Sequence, residues 1–127
     1  MQRRNRLSRS RDFDAVYRHG RSTSTRFLVC YAFPRPESAD ELPARLGLAV
    51  PKAVGGAVVR NRIKRQLRET WREVAGHARP GHDYVLVARA GLADAAEARG
   101  HEWLRERVAE VLAKGAREGG AVTREAQ

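Results

Sequence analysis

The order of apolar and polar positions divides the chain into six elements. Phe13, Val16 and Tyr17 fall at i, i+3 and i+4, one stripe of a helix. Ser10 precedes them as a cap, Asp12 and Asp14 suit the positive helix end, and Gly20 closes the run. The pattern predicts a short helix over 11–19. RFLVCYAF, 26–33, is aromatic and β-branched and predicts a strand. Phe27, Val29, Tyr31 and Phe33 share one face; Leu28, Cys30 and Ala32 share the other. PRPESADELPA, 34–44, reads as a proline-marked loop, and RLGLAVP, 45–51, as a second strand. The simplest pairing of these two strands is a long-looped hairpin. After Gly55 and Gly56, the residues Val59, Ile63, Leu67, Trp71 and Val74 lie within an arc of about 120° on a helix. That predicts a helix over 57–75, broken by Gly76, Pro80 and Gly81. DYVLVAR, 83–89, is almost wholly apolar and predicts a central strand. Asp94 and Glu97 have the spacing of a capping box. Leu104, Val108, Val111 and Leu112 form the stripe of a last helix. The order is α-β-β-α-β-α.

Charge sharpens this outline. Lys plus Arg number 25 against 15 acids, a net +10 in 127 residues. Residues 1–91 hold 19 basic and 8 acidic side chains; residues 92–127 hold 6 and 7. The excess therefore sits on the earlier elements, and the last segment reads as scaffold. Such a field favours polyanions, nucleic acid before membrane. Of the basic residues 22 are Arg, whose planar fork clamps phosphate and stacks on bases. Cys30 is alone, so an intrachain disulfide or a cysteine zinc site is excluded. No apolar stretch follows the basic N-terminus, and LVCYAF and YVLVA are too short to span a bilayer. The expectation is one cytoplasmic domain over 1–115, with a loose basic arm over 1–9 and a disordered tail over 116–127.

The helix at 57–75 carries the excess on one side. Opposite its apolar stripe lie Asn61, Arg62, Lys64, Arg65, Arg68 and Arg72. A solvated face mixes signs at i, i+4. Arg65–Glu69 and Glu69–Arg72 have pairing distance, but Lys64–Arg68, Arg68–Arg72 and Arg65–Arg68 are like-charge neighbours. A counter-charge from outside is needed, and nucleic acid supplies it better than solvent. Arg60 lies near the apolar edge, which also suits support of the preceding loop.

RLGLAVPKAVGGAVVRNRIKRQLRETWR resembles the signature of the bacterial ribonuclease P protein component. The hallmark is Arg60-Asn61-Arg62, followed by Ile63-Lys64-Arg65 and Arg68-Glu69. RNRLSRSRDFDAVYRHGRS, 4–22, is similar to the family's opening, and DYVLVAR to its later strand. Two departures fall in the turn. Pro51-Lys52-Ala53 stands where the family often has Ser-Lys-Lys, and Gly56 where Asn is common.

The resemblance implies an α/β fold, a two-layer α+β sandwich like one domain of a ribosomal protein. Its order would be α-β-β-β-α-β-α, with a left-handed crossover around the RNR helix. A fourth strand would then lie in 34–50, or in a 20–33 stretch split by a bend. The resemblance also implies a protein subunit of ribonuclease P, which removes the 5′ leader of precursor tRNA. The partners would be the ribonuclease P RNA, which carries catalysis, and precursor tRNA, with neither DNA nor membrane. The cofactor would be Mg²⁺, bound mainly by the RNA subunit and substrate. Arg60, Asn61, Arg62, Lys64, Arg65 and Arg68 would face the RNA subunit. Phe13, Tyr17 and Tyr31 would line a leader-binding cleft, where rings stack on bases of any sequence. Arg26, Lys52 and Arg89 would form its cationic walls. Periodicity by itself favours Phe13 and Tyr17 as an ordinary core stripe.

No residue pattern suggests catalysis by the chain itself. Asp12 and Asp14, two apart on a helix, point in nearly opposite directions and cannot converge on paired metals. His19, His77, His82 and His101 have no metal-ligand spacing. A ribosomal-type RNA-binding protein is the competing function. A major-groove DNA reader would need a tight helix-turn-helix, whereas the basic helix here follows a Gly-Gly turn from a strand.

Overall fold

The computed structural model describes residues 13, 17, 18, 20–34 and 43–126, with side chains through 115 except at 77. The basic arm, the loop at 35–42 and most of the expected first helix lie outside the described residues. Phe13, Tyr17 and Arg18 are helical. The elements that follow are β1 (Arg21–Ser24), β2 (Leu28–Pro34), β3 (Arg45–Ala49), α1 (Ala57–Val74), β4 (His82–Ala88), α2 (Leu92–Arg99) and α3 (His101–Ala126). The fold class is the α/β sandwich implied by the resemblance. α3 is assigned to Ala126, past residue 115 where the sequence reading ended the domain.

The fourth strand is the first one. A bend at Thr25–Phe27 separates β1 from β2, and the two pair antiparallel, Arg21 opposite Ala32 through Ser24 opposite Val29. Thr25 closes the bend, its amide donating to the Leu28 carbonyl at 2.8 Å. Polar RSTS carries no apolar alternation, which hid β1 among turn residues.

The sheet order is β1-β2-β4-β3. The expected hairpin between β2 and β3 is not formed, because β4 lies between them, antiparallel to β2 and parallel to β3. The reason is burial. β4 has the most continuous apolar run, and only a position with a neighbour on each edge satisfies its backbone while covering both faces. A parallel β3–β4 pair also requires a crossover, and α1 supplies it.

The helices pack on one face of the sheet. Leu28, Cys30, Leu46, Tyr84, Leu86 and Ala88 meet Ile63, Leu67, Trp71 and Val74 of α1 and Leu104, Val108, Val111 and Leu112 of α3. The apolar stripe of α1 is thus consumed by the core, which fixes its charged side outward. Gly100, at φ 93, separates α2 from α3, so the expected single last helix is two. Asp94 lies in the first turn of α2 rather than at its cap, which is Gly91 in the left-handed conformation. The capping-box expectation therefore fails: Gly91 reaches a backbone angle that Asp rarely adopts. Among the described residues, no helix is long and apolar enough to cross a membrane.

Candidate nucleic-acid interface

α1 begins abruptly. Lys52–Val54 form one 3-10 turn, and Gly55 then packs against the helix it precedes. A Cβ at Gly55 would stand 2.7 Å from the Val59 Cγ1, so the close approach of turn and helix needs glycine. At Gly56, the N-cap, a Cβ would meet nothing within 4 Å. No acid occupies the first turn, so the helix supplies no carboxylate of its own to its positive end.

Beyond that turn the basic side chains fan outward. Asn61, Arg65 and Arg72 are exposed; Arg60, Arg62, Lys64 and Arg68 are half-buried. Lys64, Arg65 and Arg72 have no acid partner among the described residues. Neither Arg65–Glu69 nor Glu69–Arg72 is paired there. Glu73 turns away instead, taking His101 Nε2 at 2.7 Å and Arg105 at 3.7 Å on α3. The acids of α1 therefore do little to neutralise its outer face. Arg60 keeps a buried Nε without a hydrogen-bond partner. Arg62 approaches Glu97 of α2 at 3.7 Å beside a groove of about 300 Å³ lined also by Gln66, His101 and Leu104. Sequence reasoning missed Glu97, because its partner lies on another element with no fixed spacing to it.

The opposite face of the sheet holds a second apolar group. Val85 is fully buried there beneath Phe13, Tyr31, Phe33, Ala49 and Val87. Tyr17 stands on this layer, its ring edge-on to Tyr31 at 4.9 Å and 6.3 Å from Phe13. The three aromatic residues named from the sequence are thus brought together. Phe13 packs inward, while Tyr17 remains 41% exposed. Partial burial raises the Tyr17 hydroxyl's pKa above its ordinary value, and Tyr31 adds to that shift.

The three expected wall cations are placed differently. Arg89 directly follows β4, and its guanidinium donates to the Thr25 carbonyl at 3.0 Å. Lys52 is exposed in the turn before α1. Arg26 lies over the Phe27 ring, 5.3 Å from its centroid. At the far edge of the sheet, Arg45 and Asp83 form a two-pronged ion pair at 2.8 and 2.7 Å.

Nothing in the described part resembles a hydrolytic centre. His82 Nδ1 sits 3.0 Å from the Pro80 carbonyl, and His101 is held by Glu73. Among the described residues, no three His, Cys, Asp or Glu side chains are grouped to hold a metal. Asp12, Asp14 and His19 lie outside them.

Known proteins share this arrangement. Residues 1–114 match the sequence profile of the Ribonuclease P family. The ribonuclease P protein component of Shouchella clausii is 46% identical over 89 residues, 70% of each chain. That of Geobacillus kaustophilus is 40% identical over 94 residues, 74% of this chain and 75% of its own. The Staphylococcus aureus RNase P protein superposes with a TM-score of 0.72 at 30% identity, covering 85% of this chain and 92% of that one. The Thermotoga maritima protein superposes with a TM-score of 0.74 at 30% identity, covering 84% and 94%. With signature, fold and profile agreeing over nearly the whole chain, this protein belongs to the ribonuclease P family, as a protein component of that tRNA-processing ribonucleoprotein.

Proposed function

We propose that the chain acts through two RNA surfaces on opposite faces of one sheet. The outer side of α1 binds the ribonuclease P RNA, with Arg60, Asn61, Arg62, Lys64, Arg65 and Arg68 as contacts. The Phe13–Tyr17–Tyr31 face takes the 5′ leader of precursor tRNA, with Arg89 and Lys52 beside it. The observation that carries this reading is the separation itself. Lys64, Arg65 and Arg72 stand on the outer side of a helix backed by a core stripe and have no acid partner among the described residues, while the exposed Tyr17 ring lies across the sheet from them.

Each surface suits a different task. Arginine forks on a rigid helix match the fixed phosphate positions of a folded RNA. Tyrosine rings accept any base, which fits a leader whose sequence varies between substrates. Catalysis in this proposal belongs to the RNA subunit. Mg²⁺ is held there and by the substrate. The protein raises substrate affinity and spreads positive charge where phosphates crowd. Residence in the cytoplasm follows from the site of tRNA maturation in a bacterial cell.

Equilibrium binding separates the two faces. Lys64→Gln with Arg65→Gln is expected to weaken binding to the ribonuclease P RNA by about tenfold and to lower the salt slope by about 1 per side chain. Tyr31→Leu is expected to leave that binding intact and to weaken only capture of leader-bearing precursor tRNA by the holoenzyme. If the α1 variant binds ribonuclease P RNA as the parent does, the assignment of α1 is wrong.

A further inference from the structure

A third surface lies on the flank of α3 that faces away from α1. His101 and Arg105 reach Glu73 of α1, and Trp103, two residues from each, points about 200° away from both. Its ring meets Phe27 edge to face, with centroids 5.1 Å apart. Three guanidinium groups gather over this pair. Arg26 lies 5.3 Å from the Phe27 centroid, and Arg99 and Arg107 lie 6.0 and 5.5 Å from that of Trp103. They come from the β1–β2 bend, the end of α2 and the second turn of α3. Phe27 and Trp103 are half-buried; Arg26 and Arg99 are exposed.

The plain account is that arginine stems cover the rim of the core. Two observations go beyond it. Arg26 and Arg99 have no acid partner among the described residues, and Arg107 has only Glu110 at 3.6 Å. The nearby Glu102 is engaged by Arg105. Three guanidinium groups thus converge on two rings, and only that of Arg107 is offset by an acid among the described residues. In addition, the buried Arg107 Nε makes no hydrogen bond, the Glu110 oxygen it faces standing 3.6 Å away. Such a donor is held by charge but not by a hydrogen bond, which an incoming anion would supply. A ligand that is both anionic and flat answers the charge and the rings together, which describes a phosphodiester strand with an unstacked base.

We infer that the Phe27–Trp103 patch is a further single-stranded RNA site that receives the part of the precursor tRNA leader emerging from the cleft. A base stacks on Trp103, and flanking phosphates take Arg26, Arg99 and Arg107. Arg89 joins the two sites. It follows the end of β4, and its guanidinium donates to the Thr25 carbonyl next to Arg26. This inference rests on the leader reading of the cleft.

The test uses reconstituted holoenzyme and two precursor tRNAs, with leaders of about 4 and about 12 nucleotides. Arg26→Gln with Arg99→Gln changes only exposed side chains and keeps the fold; Trp103→Leu removes the stacking ring. Both are expected to weaken binding of the long leader by about tenfold and to leave the short one unchanged. Tyr31→Leu, in the cleft, is expected to weaken both. Equal loss on the two leaders overturns the patch, because it would then touch the RNA subunit or merely support the fold. No loss on either also overturns it, and leaves the patch to a protein partner or to packing. If Tyr31→Leu affects neither leader, the cleft reading fails whatever the patch variants do.

Discussion

Cys30 and Asp83 show how burial decides chemistry at single positions. Cys30 sits on the helix side of β2, and desolvation pushes its thiol up to about 12 from an ordinary value of 9.0. The folded protein keeps the thiol neutral while the unfolded chain ionises near 9. Stability is therefore lost as pH rises from about 9 towards 12, since the unfolded state releases the proton first. At pH 8 the native thiol is expected to resist iodoacetamide and to react only after denaturant is added, as mass spectrometry would read. Rapid native labelling would contradict the burial. Asp83 is almost wholly buried and holds Arg45 with both oxygens. Asp83→Ala strands a half-buried guanidinium and is expected to cost about 3 kcal/mol in urea unfolding; a change under about 0.5 kcal/mol would show that the pair is dispensable. Residue roles were unevenly legible. Alternation placed Tyr31 and Phe33 on one strand face correctly. It misplaced Phe27, because the bend before Leu28 turns that ring into the Trp103 contact. Neither Glu97 against Arg62 nor Arg107 against Trp103 has a spacing that a sequence displays.

The turn into α1 is where element geometry bears most directly on function. Gly55 and Gly56 look equivalent in sequence, yet only Gly55 abuts the Val59 side chain. Gly55→Ala is expected to destabilise the protein by about 1–3 kcal/mol by pushing the turn off the helix. Gly56→Ala, with open space and an ordinary φ of −72, is expected to stay within about 1 kcal/mol of the parent. Thermal unfolding of the two variants reads the contrast, and equal effects would mean that turn and helix do not pack as described. α1 itself was legible almost to the residue, since a stripe of five apolar positions has one helical solution. The pairing of β2 and β3 was not. Strand periodicity fixes faces but says nothing of neighbours, and the near-continuous apolar run of β4 competes for the central position and takes it. β1 escaped notice because its four residues are polar on both faces but for Thr23, which is buried by packing beside Gly115 of α3.

At the scale of the molecule, charge and fold are arranged together. The net charge is +10, and the helices cover one sheet face so that the α1 cations point out on one side while Tyr17 and Tyr31 stand on the other. Binding of the ribonuclease P RNA is expected to fall steeply and linearly in log affinity against log salt, as phosphate contacts release counterions. That expectation alone does not separate this protein from other basic domains. The sequence pointed to a polyanion from charge alone, and the RNR signature pointed to a family; the uneven split of charge along the chain was a poorer guide, because Arg99 and Arg107 of the nearly neutral last segment stand in an arginine cluster. The central proposal is that the chain serves an RNA catalyst rather than cleaving RNA itself. Its most direct test is cleavage of a precursor tRNA at modest magnesium by a bacterial ribonuclease P RNA, with the protein, without it, and by the protein alone. The account predicts stimulation only when both are present, reduced by Arg62→Ala or Arg65→Ala. Cleavage by the protein alone, or no stimulation while other structured RNAs are still bound, would contradict it.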